Sequence, residues 1–210
     1  MHIERIDDQP IDAGFFGETR RLTEFITPNA LDVQALHQKL TKDVVGTRER
    51  IISCWSWVAN NVRYVKFVRG KIWINGKSAV QTDLWTMPEI TMRTRVGNCA
   101  IKSFLLASLL RNELSADQIH CTLGNLHNGS AGGHAWVNVK LGSEDYVMES
   151  TTPTAPPLVP AHLAARYEPV HYFNDQQVLA VSGRTQLVPF CACFSTWLSD
   201  YLNWAYIQNG

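Results

Sequence analysis

No stretch of the 210 residues approaches the roughly 18 consecutive apolar residues that a membrane-crossing helix needs. The opening residues MHIERIDDQPIDAG carry no apolar signal-peptide core. Neither sign of charge is in excess, with 19 Lys+Arg against 19 Asp+Glu, so no global field favours nucleic acid or an anionic membrane. The local basic run Arg63, Lys66, Arg69 and Lys71, interleaved with Tyr64, Phe67 and Trp73, reads as the solvent face of strands. There is no phosphate-binding glycine motif, no internal repeat and no low-complexity tract. Paired C-x-x-C and H-x-x-x-H spacings are absent as well, which leaves His120, Cys121, Cys191 and Cys193 without a zinc pattern. No metal and no cofactor is therefore expected, nor is a nucleic-acid or membrane partner. The five cysteines (54, 99, 121, 191, 193) form no disulfide framework and suit a reducing, cytoplasmic compartment.

What is present is an ordinary globular composition, 45% hydrophobic and 18% charged, on a chain long enough for a core without disulfide or metal support. It reads as a single domain over 1–210, with 1–28 as an N-terminal arm, 29–113 as a helical part and 114–210 as a sheet part. Phe15, Phe16 and Phe25 are the arm's anchors. Apolar periodicity predicts helices over Asn29–Asp43 and Thr47–Val62. Short strands are expected at Tyr64–Phe67, Ile72–Ile74, His120–Leu123 and Val178–Val181. Asn125–Gly133 (NLHNGSAGG) reads as a flexible loop beside His134, able to act as a lid. Cys193–Ile207 is an aromatic-rich helix or strand that periodicity does not decide.

The stretch Arg95–Arg111, RVGNCAIKSFLLASLLR, concentrates the chemistry. Asn98 is a favoured N-cap type, and the apolar residues that follow cover nearly every side of a helix from Cys99 to about Arg111. A cysteine at that position meets unpaired backbone N–H groups and the positive end of the helix dipole, which favour thiolate. The alternative is one more buried cysteine.

A hairpin supplies possible companions. Along HAWVNVKL (134–141), Ala135, Val137, Val139 and Leu141 share one face and His134, Trp136, Asn138 and Lys140 the other. YVME (146–149) returns through 142–145. A tight turn at Leu141–Gly142, or a four-residue loop over 141–144, puts Glu149 directly opposite His134 or one diagonal step away. Either register gathers Ala135, Val137, Val139, Tyr146 and Met148 on the apolar face. Cys99, His134 and Glu149 then read as nucleophile, base and orienting acid. The plainer alternative is an ordinary cross-strand pair.

Three blocks carry a resemblance: Trp85-x-x-Pro88-x-x-Thr91 leading into GNCAIKSFLLASLLR, then GGHAWVNV, then YVMESTTP. In this order and spacing they resemble the transglutaminase-like superfamily of papain-fold thiol enzymes, including bacterial transglutaminase-like cysteine proteases. The helix IISCWSWVANNVRYV adds to the likeness, which spans about Glu49–Pro153. Asn98 stands where that superfamily usually has Asp, Ala100 and Ile101 where acidic residues often follow, and Glu149 where Asp is usual. The resemblance implies an α+β, papain-like core, with the central buried helix carrying the cysteine packed on an antiparallel sheet carrying the histidine and the acid. It implies acyl transfer on a peptide or protein amide through Cys99, His134 and Glu149. Hydrolysis is the first expectation, transamidating cross-linking the second, and a non-catalytic binding module the third. The Cys99 backbone N–H is the expected oxyanion donor. Trp85 and Gln81 are candidates for a second donor and Trp136 for the cleft, although core packing is the plainer role for Trp85.

Overall fold

Twelve residues in a row, Cys99 to Leu110, are buried in a single helix, and the rest of the fold is packed around it. The structure, a computed structural model, describes residues 2–183 apart from 16–17, 67–68, 75–76, 83 and 129, and leaves the side chains of 11–19, 67–83 and 128–131 undescribed. The first part of the chain holds β1 (Ile3–Ile6), β2 (Ile11–Phe15), β3 (Glu18–Arg20), a 3₁₀ turn at Leu22–Phe25, α1 (Leu31–Thr41) and α2 (Thr47–Asn61). Then come β4 (Arg63–Tyr64), β5 (Arg69–Ile74), β6 (Lys77–Thr82), α3 (Pro88–Thr94), β7 (Val96–Gly97) and α4 (Cys99–Leu110). The last part is β8 (Ile119–Asn128), β9 (Ser130–Leu141), β10 (Glu144–Met148), β11 (Val159–Pro160), β12 (Tyr167–Phe173) and β13 (Val178–Val181).

Seven strands form one sheet in the order β1-β13-β12-β8-β9-β10-β11, every neighbouring pair antiparallel. Helix α4 lies against β8 and β9 on one side and against α1, α2 and α3 on the other. One core joins them, from Val33, Ile51 and Val58 through Phe104 and Leu105 to Ala135, Val137, Val139 and Met148. Trp85 is wedged into it, its ring 5.6 Å from Phe25 and 5.0 Å from Phe104. Burying side chains of this size stabilises by about 1.5–3 kcal/mol each, so α4 is held by packing rather than by its own propensity. The other face of the sheet carries a smaller cluster of Trp136, Val147, Ala164 and Tyr167.

A cationic group lies deep in this core. The Lys102 ammonium, on a side chain with no solvent exposure, donates to the carbonyls of Val62 at 2.6 Å and Ala59 at 3.3 Å. Those carbonyls belong to the C-terminal end of α2, where the helix leaves its acceptors open. The charge on α4 closes them.

Several elements differ from the sequence reading. Asn125–Gly133 is not a loop: β8 and β9 pair continuously from Ile119↔Val139 to Asn128↔Ser130. Gly124 is required there, because a Cβ on it would run into the Glu168 carbonyl oxygen and the Trp136 ring. Strand β12 has no counterpart in the sequence reading. Pro169 hides it, and a register shift between Pro169 and His171 accommodates the missing N–H. Residues 88–94 form a helix with Pro88 in its first turn, a position that needs no N–H. In the arm, Ile3–Ile6 is an edge strand on β13 and Phe25 is fully buried. The Phe15 side chain, Phe16 and Cys193–Ile207 lie outside the described residues.

Candidate active site

Asn98 ends an extended segment and caps α4, its Oδ1 accepting the Ile101 backbone N–H at 3.0 Å. That bond fixes Cys99 as the first helical residue, 7% exposed, with its own N–H among those that have no intrahelical acceptor. Cys54 and Cys121 are also free thiols and also buried. Burial pushes Cys54 up to about 12 and Cys121 well above the ordinary thiol value.

The β9–β10 hairpin places the imidazole and the acid. Leu141 pairs with Glu144, so only Gly142 and Ser143 are left to turn the chain, with Gly142 at φ 63°. The register then runs Asp145↔Lys140 to Met148↔Val137, which puts Trp136 rather than His134 across from Glu149. Of the two registers expected from the sequence, this is the diagonal one. Glu149 leaves the ladder and reaches back to His134, Oε2 to Nε2 at 2.6 Å. Its extra methylene relative to Asp provides that reach.

Four donors converge on the Glu149 carboxylate. Oε1 accepts from the Thr151 backbone N–H at 2.8 Å and from its hydroxyl at 2.7 Å. Oε2 accepts from the Tyr167 hydroxyl at 3.2 Å as well as from His134. The Glu149 carbonyl oxygen in turn accepts the Trp55 indole N–H at 2.6 Å, tying the acid to α2. Burial alone would raise the carboxyl, but His134 and Thr151 outweigh it and hold it below the usual carboxylate range. Burial first, then the charge of Glu149, pushes Tyr167 up to about 12, so it remains a donor at neutral pH.

His134 is 9% exposed, with Glu149 on one ring nitrogen. Burial opposes charging its ring. The hydrogen bond and charge of Cys99, followed by those of Glu149, more than offset this and raise it to about 10. With Nε2 on the carboxylate, Nδ1 is the nitrogen left for the sulfur. The Trp136 ring stacks beside the imidazole at 6.1 Å with 24° between planes, and its indole N–H is given to Asn138 Oδ1 at 2.7 Å.

Cys99, His134 and Glu149 thus come together. Trp136 walls the imidazole, and its N–H is engaged elsewhere in place of any oxyanion role. Trp85 is 1% exposed among core aromatics, the packing role. Gln81 is on β6 opposite Gly70, and its side chain lies outside the described residues. Sequence reasoning missed Thr151, Tyr167 and Trp55. Thr151 had a local signal, a hydroxyl two residues beyond the acid where a side-chain-to-backbone turn forms. Tyr167 had none, because it lies 18 residues from Glu149 along a proline-rich stretch and meets it only in the fold.

No family profile matches this sequence, and no curated protein matches it. Solved structures do. LapG of Legionella pneumophila superposes with a TM-score of 0.53 at 17% identity, over 73% of this chain and 78% of LapG. EGTA-treated LapG from the same organism gives 0.51 at 18% identity, over 81% of this chain and 84% of that one. At these identities the likeness is one of fold. The chain has a transglutaminase-like fold, an α+β architecture in which a buried helix packs on an antiparallel sheet. Among the described residues no group of three or more His, Cys, Asp or Glu is placed to hold a metal ion, and no helix is long and apolar enough to cross a membrane.

Proposed function

We propose that this chain is a thiol-dependent enzyme that cleaves amide or peptide bonds in a peptide or protein substrate, with Cys99 as nucleophile, His134 as acid and base, and Glu149 as the orienting carboxylate. The observation that carries the reading is the buried His134–Glu149 hydrogen bond at 2.6 Å, with the Cys99 thiol at the start of α4 acting on the same imidazole. Stability is a poor reason to bury three ionisable groups in contact, since their desolvation offsets much of their attraction.

In this mechanism the Cys99 proton already rests on His134 Nδ1, in keeping with a ring raised to about 10, and the thiolate attacks the carbonyl carbon. The carbonyl π electrons move to oxygen, and the Cys99 backbone N–H at the start of α4 donates to that oxyanion. As the oxyanion collapses, the C–N bond breaks and the imidazolium hands its proton to the departing amine, leaving a thioester. Water then attacks with His134 taking its proton, and the acid leaves as the thiol is restored. Free thiols at Cys54, Cys99 and Cys121 support a reducing compartment, and we place the protein in the cytoplasm on that ground.

Iodoacetamide labelling near neutral pH, mapped by mass spectrometry, tests the assignment. Cys99 is expected to react first among the five cysteines, and His134→Ala to slow it by about tenfold or more. Equal labelling of all cysteines, or a Cys99 rate indifferent to His134→Ala, would overturn it.

A further inference from the structure

Strands β4 and β7 pair in parallel, Arg63↔Val96 and Tyr64↔Gly97, so an extended stretch runs directly up to Asn98 and Cys99. Beside this ribbon opens a cavity of about 690 Å³, whose lining includes Arg63, Thr94, Arg95, Lys102 and Thr151. Among the described residues its charged lining is of one sign: two guanidinium groups and an ammonium, with no Asp or Glu. Lys102 gives two of its three protons to neutral carbonyls, Ala59 and Val62; burial lowers its ammonium to about 8, the Glu149 charge partly offsetting this, so it is still cationic at neutral pH. Arg95 lies at φ 57°, in the left-handed region at the end of α3 where glycine is easier, and its guanidinium stacks 4.3 Å over the Trp57 ring. One face of that group is covered, which leaves its N–H edge for a planar acceptor. Thr151 lines the cavity while its hydroxyl holds Glu149, so the cavity adjoins the acid side of the candidate site.

We infer that this cavity binds a carboxylate, presented by an acidic side chain of the peptide substrate. Arg63 and Arg95 would contact it, and Lys102 would add a buried positive charge from behind. Val96, which lines the cavity, is three residues before Cys99 on the same chain, so the acidic side chain would lie on the β7 side of the scissile bond. The attribution to substrate rests on the thiol-enzyme reading; carboxylate binding does not.

The test reads occupancy without turnover. In the Cys99→Ala protein, phenylglyoxal modification of Arg63 and Arg95 is followed by mass mapping with a blocked glutamate-containing peptide, its glutamine counterpart, or free glutarate. The glutamate peptide is expected to slow modification by roughly fivefold, with the glutamine peptide and glutarate ineffective. Thr94→Glu, at an exposed position on the rim, is expected to abolish the protection. Protection by glutarate as strong as by the peptide would overturn the substrate assignment in favour of a free carboxylate ligand. No protection, or equal protection by the glutamine peptide, would overturn the site itself, whatever the outcome of Cys99 labelling.

Discussion

The Tyr167 hydroxyl is the most economical probe of Glu149, because Tyr167→Phe removes one donor and keeps the ring that packs 5.2 Å from Trp136. A hydrogen bond to a charged group contributes about 1.5–3 kcal/mol, and its loss favours the protonated acid. We expect kcat/KM to fall roughly tenfold and the acid limb of its pH profile to move to higher pH, with the fold retained. An unchanged profile would mean that Tyr167 only packs. At this scale the residues that come together were readable where a local rule named them. Asn98 announced a helix start, and strand alternation put His134 and Glu149 on one face. Tyr167 and Trp55 obey no local rule, since each reaches Glu149 from a distant element.

Gly124 governs the next scale. It lies opposite His134 in the β8–β9 ladder, and the two close approaches there, to the Glu168 carbonyl and the Trp136 ring, leave no room for a methyl group. Gly124→Ala is expected to destabilise the protein by about 1–3 kcal/mol in chemical denaturation and to slow Cys99 labelling, because Trp136 must shift beside His134. Wild-type stability in that variant would show that the strands separate freely. The same glycine explains why this region misleads: NLHNGSAGG has the composition of a loop, yet it continues a paired strand whose neighbours pack closely. Helices α1, α2 and α4 were legible because their apolar spacing is local, whereas β12 depends on partners on both sides to tolerate Pro169.

For the molecule as a whole, the buried histidines set the pH range of stability. Burial holds both His120 and His171 down to about 4, so below the ordinary histidine range the unfolded chain takes up protons that the folded chain refuses. Their contribution is lost as pH falls from about 6.5 toward 4. His134 has the opposite sign. Raised to about 10, it stabilises fully below about 6.5 and loses that contribution as pH rises toward 10. Glu149, held low, contributes above its ordinary range and loses this only in stronger acid. Melting temperature is therefore expected to peak near pH 6.5 and fall on both sides. A melting temperature that climbs steadily to pH 10 would contradict the balance.

Helix α2 grips both halves of the candidate site: Trp55 in its middle holds the Glu149 carbonyl, and its final carbonyls hold Lys102, one turn along α4 from Cys99. It works as a beam bolted at two points. Tilting the beam carries sulfur and acid together and leaves their spacing alone, whereas fraying its last turn releases only the sulfur's helix.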